Sequence, residues 1–428
     1  AWPPTYVVGR PRRRLRTAEA DVPTRRRLLQ NTYYEAAMCL REPPAWGSLS
    51  GVRPTKLTTR ALLEGRTPTE AEKLLRTRYH VSPERSRLCV EASEATVQAA
   101  QLLRPQDVSV YVGIPFCPTR CAYCSFVSQS VEKSMALVPE FLQALAREIA
   151  ATAEAVRRAG LHVVSLYIGG GTPTTLSARQ LDALCTQLAA AFDLSALREF
   201  TVEAGRPDTI TADKLQVLRA HRVDRISVNP QTLDDRVLDT IGRRHTAQDI
   251  YDALRLVRET GGFAVNMDLI AGLPGDTPDG FRATLEQVLA LAPENVTVHT
   301  LSRKRGSNLM AQDAPIPDGA AVGEMLDFAG TVLPRAGYAP YYLYRQKFMS
   351  GGFENVGWTR PGQENLYNIC IMEELCSILA MGGGASTKLV RPNGGRLERH
   401  IDPKYPTEYI ANIDRICAAK AELEAFFQ

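Results

Sequence analysis

No run of eighteen apolar residues occurs in the 428-residue chain, so no segment reads as a membrane-spanning helix. A charged-then-apolar leader with a small-residue cleavage site is also missing from the first residues, and secretion is not expected. There is no tandem repeat and no low-complexity block, and no second CxxC pair accompanies the one cysteine cluster, so a zinc ribbon is not expected either. What remains is 44% apolar and 23% charged, the balance of an ordinary globular protein with a large core. Nine cysteines, an odd number, read as free thiols and metal ligands of a cytosolic protein rather than as a disulfide framework.

Charge is uneven along the chain. Residues 1–60 hold twelve Lys and Arg against four Asp and Glu, which leaves the remainder at a net −4. The arginines gather at Arg12, Arg13, Arg14 and Arg16 and again at Arg25, Arg26 and Arg27. A basic lead segment can bind nucleic acid, but no aromatic residues alternate with these arginines for base stacking, so a solvated face is the favoured reading.

The pattern divides the chain into a basic, mostly helical lead domain over 1–104, a βα domain over 105–310 and a C-terminal extension over 311–428. Residues 1–30 read as weakly structured. A short helical pattern over Tyr33–Arg41 stops at Pro43-Pro44, and helices are expected at 57–65, 69–78 and 83–103, the last with Ser82 at its cap and Pro83 in its first turn. After Pro105 come six β-type runs, Val108–Ile114, Val163–Ile168, Glu199–Ala204, Arg225–Asn229, Phe263–Ile270 and Asn295–Leu301. Helical patterns at 136–159, 177–192, 211–220, 233–242, 246–260 and 279–291 separate them. Such alternation predicts an α/β fold, a parallel sheet curled into a partial barrel of six units. Beyond 320, Tyr338–Tyr344 reads as a strand, 353–368 as a Gly-rich loop, Leu366–Leu379 as a helix, and Gly382-Gly383-Gly384-Ala385-Ser386 as a second glycine turn.

In this architecture the loops after the strands build the site, and the distinctive polar groups all fall there. Cys117, Cys121 and Cys124, spaced C-x3-C-x2-C, follow the first run. Gly169-Gly170-Gly171-Thr172-Pro173-Thr174 follows the second, where glycine lets backbone approach a ligand. Glu203 closes the third, Asn229 to Gln231 follow the fourth, and Asp268 ends the fifth. Three thiols in eight residues suit a 4Fe-4S cluster with one iron left open for chemistry. Structural zinc, with a distant fourth ligand such as Cys89, Cys185, Cys370, Cys376, Cys417 or a histidine, and inert buried thiols are the alternatives.

The cysteine loop with Tyr123 inside it, the GGGTPT turn, Ser227-Val228-Asn229-Pro230-Gln231, Ile241-Gly242-Arg243-Arg244-His245 and Asp268-Leu269-Ile270-Ala271-Gly272-Leu273-Pro274 resemble radical S-adenosylmethionine (SAM) enzymes of the oxygen-independent coproporphyrinogen III oxidase group. Gly51-Val52-Arg53-Pro54-Thr55-Lys56 and the stretch from Gly357-Trp358 to Ser386-Thr387 resemble its HemZ-type branch, so the likeness covers nearly the whole chain. The resemblance implies that Cys117, Cys121 and Cys124 bind a 4Fe-4S cluster. Gly169, Gly170, Gly171, Thr172, Glu203, Gln231, Arg243 and Asp268 would contact one SAM, Gly383 and Ala385 would lie near a second, and Tyr111 and Arg243 would serve catalysis. A guanidinium at Arg243 suits the SAM carboxylate because it donates two parallel hydrogen bonds.

The implied reaction is oxidative decarboxylation of coproporphyrinogen III to protoporphyrinogen IX by a 5′-deoxyadenosyl radical, in the porphyrin and heme pathway, with reduced flavodoxin or ferredoxin as electron donor. Arg345 and Arg360 are expected at the mouth, facing the substrate's carboxylates. Where oxidases of this group usually carry His before Ile-Pro-Phe-Cys and a further Cys after the third ligand, this chain has Gly113 and Phe126. The related haem chaperones also carry Phe at the second place. A haem-binding chaperone, or a radical SAM enzyme acting on another tetrapyrrole or on RNA, is therefore the alternative.

Overall fold

Val108, Val110, Val112 and Ile114 alternate along the first βα strand and are all at most 1% exposed, as strand residues packed under helices should be. In a computed structural model, the described residues are 22–39, 43–124, 129–130, 134–302, 315–346, 349–391 and 397–427. Phe126 and the Arg12–Arg16 cluster lie outside them.

Four helices lead the chain: α1 (Val22–Ala37), α2 (Thr55–Leu63), α3 (Pro68–Tyr79) and α4 (Pro83–Leu102). Thr67 and Glu70 close a reciprocal capping box on α3, and Ser82 caps α4 by accepting the Arg85 N–H. The weak structure expected up to residue 30 is corrected from Val22 onward, since α1 runs unbroken through the arginines.

The six expected βα units are present. Strands β1 (Asp107–Ile114), β2 (His162–Gly170), β3 (Glu199–Glu203), β4 (Arg225–Ser227), β5 (Ala264–Ala271) and β6 (Asn295–Thr300) pair in sequence, all parallel. The intervening helices are α5 (Val138–Arg158), α6 (Ala178–Ala191), α7 (Ala212–Ala220), α8 (Asp235–Thr240), α9 (Ala247–Thr260) and α10 (Pro278–Ala290). Helix α5 buries Phe141, Leu145, Ile149 and Val156, one face at helical spacing. Each such side chain removed from water contributes about 1.5–3 kcal/mol before entropy is subtracted.

After α11 (Gly319–Arg335) the chain returns to the sheet at both edges. Strands β7 (Ala339–Arg345) and β8 (Glu354–Thr359) run antiparallel to each other, with β8 also antiparallel to β6. Helix α12 (Leu366–Glu373) then crosses to β9 (Ser377–Gly382), which pairs parallel with β1, and β10 (Ser386–Leu389) and β11 (Glu398–Ile401) complete the other edge. The resulting order of the eleven strands is β11-β10-β9-β1-β2-β3-β4-β5-β6-β8-β7. Helices α13 (Pro406–Ala411) and α14 (Ile413–Ala421) pack on α5.

Two expectations for this region are corrected. Residues 354–359 are a fully buried strand rather than loop, because Glu354 and Asn355 find buried partners: Glu354 takes Arg85 at 2.7 Å and the Trp46 indole N–H at 2.6 Å, and Asn355 accepts the Thr300 N–H at 2.8 Å. The helix from Leu366 stops at Glu373, since Glu374 adopts a left-handed conformation (φ 59°) and the apolar residues after it extend into β9.

The C-terminal helices are tied to the barrel by a buried ion pair. Lys420 Nζ lies 2.9 Å from Glu148 Oε1, and the other Glu148 oxygen accepts the Gly382 N–H at 2.9 Å and the Tyr409 hydroxyl. This network holds the second glycine turn against the end of β1. There, a Cβ on Gly382 would lie 2.3 Å from the Gly113 carbonyl oxygen, and one on Gly113 would lie 3.0 Å from the Gly383 oxygen. Gly113, the position where the oxidase pattern has His, is thus closed over by that turn.

Candidate active site

The cysteine loop and the first glycine turn are built against each other. The Gly171 N–H donates to the Ile114 carbonyl at 2.8 Å and the Thr172 N–H to that of Phe116 at 2.7 Å. A Cβ on Gly171 would stand 2.5 Å from the Phe116 oxygen and 3.0 Å from Cys117 Sγ, while one on Gly169 would stand 2.9 Å from the Glu203 carboxyl carbon. These glycines are therefore required by contact within the protein itself, the turn lying flush on the cysteine loop and on Glu203.

Cys121 is the buried member of the three, with Cys117 and Cys124 half-buried. Cys117 Sγ lies 3.4 Å from the Thr172 hydroxyl, and Cys124 faces a cavity. Burial alone would raise the Cys121 thiol, but the Arg243 and Arg206 charges and a hydrogen bond with Tyr123 outweigh it and lower it below its ordinary value. Arg206 Nη1 donates to Cys121 Sγ at 3.7 Å. Burial, with the same two arginines, pushes His245 down to about 3, so it stands there neutral.

Both guanidinium groups are buried and not fully satisfied: Arg206 Nη2 and Arg243 Nε have no hydrogen-bond partner. Orphaned cationic donors around a three-thiol loop fit an anionic thiolate-held cluster better than a closed neutral core. Among the described residues no preformed cage of three or more Cys, His, Asp or Glu groups occurs, and Cys89, Cys185, Cys370 and Cys376 are buried elsewhere.

The cavity beside Cys124 measures about 380 Å³ and opens at the C-terminal ends of the parallel strands. Tyr111, Gly170, Glu203, Gln231 and Asp268, all singled out in the sequence, line it. Desolvation pushes Glu203 up to about 7, despite the Tyr167 hydroxyl that donates to it at 2.6 Å. Asp268 goes the other way. Its burial is outweighed by the His299 ring 3.8 Å away, by the Asn266 amide that donates to it at 2.7 Å and by the nearby Thr297 hydroxyl, which together hold it below the usual carboxylate range. Gln231 takes a left-handed conformation (φ 67°) while its backbone bridges to Asp268 and Ile270, an unusual backbone for a side chain at a cavity wall.

Other expected residues stand further off. Arg243 reaches back to the Asn229 carbonyl and to Cys121 rather than lining the cavity. Gly383 and Ala385 lie on the same rim, at the end of β9, but outside the cavity's described lining. Arg345 and Arg360 are not at the mouth, and that expectation is corrected. Arg345 stacks on the Trp46 ring and donates to the Leu49 and Gly352 carbonyls, and Arg360 stacks on Tyr338. The sequence reading missed Tyr167, Tyr342, Tyr344, Asn266, His299 and Asn368, which also face the cavity. The period-2 alternation of tyrosines in β7 was the available signal for Tyr342 and Tyr344.

The chain is similar to several known proteins. The sequence profile of the radical SAM superfamily matches residues 111–288. The oxygen-independent coproporphyrinogen-III oxidase-like protein HemZ of Bacillus subtilis is 40% identical over 90% of this chain and 78% of its own length. The heme chaperone HemW of Lactococcus lactis is 30% identical over 74% of this chain and 79% of its own. The solved structure of Escherichia coli coproporphyrinogen III oxidase (HemN), described as a radical SAM enzyme, superposes with a TM-score of 0.57 at 25% identity, covering 75% of this chain and 72% of that one.

Proposed function

This chain belongs to the radical SAM family of enzymes, among relatives of HemZ, HemN and HemW, and we propose that it catalyses the oxygen-independent oxidative decarboxylation of coproporphyrinogen III to protoporphyrinogen IX. The observation that carries the reading is the meeting of Cys124, Tyr111, Glu203, Gln231 and Asp268 on one cavity at the strand ends. When bound, a 4Fe-4S cluster and SAM supply the electron and the hydrogen-abstracting group.

The protein's part is then one of binding and shielding. Cys117, Cys121 and Cys124 would hold the cluster, and Arg206 and Arg243 would offset its negative charge. Gly170 would face SAM, with Gly169, Gly171 and Thr172 seating the turn on Glu203 and the cysteine loop beneath it. The Glu203 and Asp268 carboxylates would attract its cationic end and accept from its hydroxyl groups, and Gln231 would fix its orientation, while Arg243, turned to Asn229 and Cys121 behind the cavity wall, would act through its charge. Tyr111 and the other tyrosines exclude water around the reacting carbon. Gly383 and Ala385 bound the rim where a second SAM would sit, and reduced flavodoxin or ferredoxin delivers the electron.

The 30% identity to a heme chaperone favours a second reading, haem binding without turnover. Anaerobic incubation of the reconstituted protein with SAM, a reductant and coproporphyrinogen III separates the two. Loss of two carboxylates from the tetrapyrrole supports the oxidase. SAM cleavage alone rules it out, and stoichiometric haem binding without product supports the chaperone.

A further inference from the structure

A groove of about 770 Å³ lies in the lead domain and shares no lining residue with the active-site cavity. One face of α3 forms a wall of it. Thr69, Glu72, Lys73, Arg76, Thr77 and His80 recur there at helical spacing, while Ala71 and Leu75 on the other side of α3 are fully buried. His80 ends the helix in a left-handed conformation (φ 56°) and is exposed. From α1 comes the half-buried Tyr34, whose ring stacks on that of His80 with centroids 4.3 Å and planes 6° apart.

Cations are in excess around these rings. Lys73 and Arg76 on the wall and Arg25 and Arg27 on α1 are all exposed. Arg27 precedes Tyr34 by two helical turns on the same face, about 10 Å along the axis. Two carboxylates stand against the four cations. Glu35 is on α1, and Glu72 lies 3.7 Å from Arg76 in a solvent-facing pair of little energetic worth. In the sequence the lead arginines have no aromatic partners, because one ring lies two turns beyond them and the other on a different helix. The fold brings the two sets together.

We propose that this groove binds a single-stranded nucleic acid, with a base stacked on the exposed ring of the Tyr34–His80 pair and phosphates held by Arg25, Arg27, Lys73 and Arg76. Stacking accepts any base, and the cations track the backbone without reading sequence. An acidic protein surface would match the cations but leave the paired rings without a use. The site is independent of the chemistry proposed for the barrel.

The test is fluorescence anisotropy of the full chain, reconstituted anaerobically, with short labelled oligouridylate and oligothymidylate. Four phosphate contacts, at a logarithmic salt slope of about −0.7 each, predict that affinity falls about fiftyfold between about 50 and about 200 mM salt. Lys73→Gln with Arg76→Gln should weaken binding and halve that slope. Arg335→Gln, which removes a charge at the end of α11, should change neither. Tyr34→Leu should lose about tenfold in affinity and Tyr34→Phe should keep the parent value, since a ring rather than bulk is needed. His80→Asn, whose side chain tolerates the left-handed backbone, should lose a similar factor. The oligonucleotide bound more tightly identifies the ligand as RNA or DNA. No binding at about 50 mM salt, binding that none of the groove variants weakens, or equal competition by polyglutamate of the same length would overturn the proposal and leave the radical reading untouched.

Discussion

The Tyr167 hydroxyl and the Glu203 carboxylate, on neighbouring strand ends, share a 2.6 Å hydrogen bond at the wall of the cavity. Among the described residues Glu203 faces no cation there. Its neighbours are Tyr167, the Asp268 carboxylate and the Gly170 N–H, and desolvation dominates, so its pKa is pushed up to about 7.

A pH dependence of SAM binding follows. Above about pH 7 Glu203 is ionised and attracts the cationic end of SAM. As pH falls through 7 it takes up a proton, and affinity should drop by about tenfold or more, the worth of one charge-assisted hydrogen bond. Titration calorimetry at pH 6 and pH 8 measures this. Glu203→Gln should bind weakly at both values, and a parent protein with equal affinities would contradict the account. The sign for the ligand-free fold is opposite. A folded pKa above the unfolded value of about 4.3 gives stability that is present at low pH and lost as pH rises through about 7.

Gly171→Ala should lower cluster occupancy without unfolding the chain. Its Cβ would meet the Phe116 oxygen at 2.5 Å and Cys117 Sγ at 3.0 Å, so the cysteine loop has to shift. Iron per protein after anaerobic reconstitution should fall severalfold while the far-ultraviolet circular dichroism is unchanged. Gly330→Ala, on α11 with nothing near its Cβ, is the control, and should leave iron unchanged while adding about 0.5–1 kcal/mol.

Lys420→Met leaves the Glu148 carboxylate buried opposite an apolar group, and should destabilise by about 3–5 kcal/mol in urea unfolding. Lys420→Met with Glu148→Gln should recover part of that loss, because one of the two carboxylates facing Lys420 is neutralised and only Asp402, 3.4 Å from Nζ, is left uncompensated. A double variant as unstable as the single one would show that packing, not charge, sets the cost.

How far the sequence could be read depended on whether a residue's partners were local. The six parallel strands and their helices were legible because alternation and helical spacing are properties of a short window. The polar Glu354 and Asn355 obscured β8, since only the distant Arg85, Trp46 and Thr300 make a buried strand of them. The helix beyond Leu366 was overextended because an apolar run serves helix or strand equally, and the left-handed Glu374 that divides it is no glycine. For the cavity, strand-end position pointed to Glu203, Gln231 and Asp268, which lie on its wall, whereas Tyr111, also on the wall, came only from the family resemblance. Arg345 and Arg360 were misplaced because their charge is satisfied by backbone carbonyls and aromatic rings that spacing does not reveal.

The thiols differ in ways that a substitution can expose. Cys121→Ala should abolish the brown cluster absorption after reconstitution, since Cys121 is the buried thiol held by Arg206 and Arg243. Cys185→Ala, far from the loop on α6, should reconstitute fully at the modest stability cost of a small buried thiol. Unchanged iron in Cys121→Ala would contradict the ligand assignment.

The central claim is that the cavity acts on the propionate side chains of a coproporphyrinogen, and isotope transfer tests it most directly. Coproporphyrinogen III carrying deuterium on the propionate carbon next to the ring should, under anaerobic turnover, pass that deuterium into 5′-deoxyadenosine as carbon dioxide is lost. 5′-Deoxyadenosine that forms without deuterium, beside an intact tetra-acid, would contradict it.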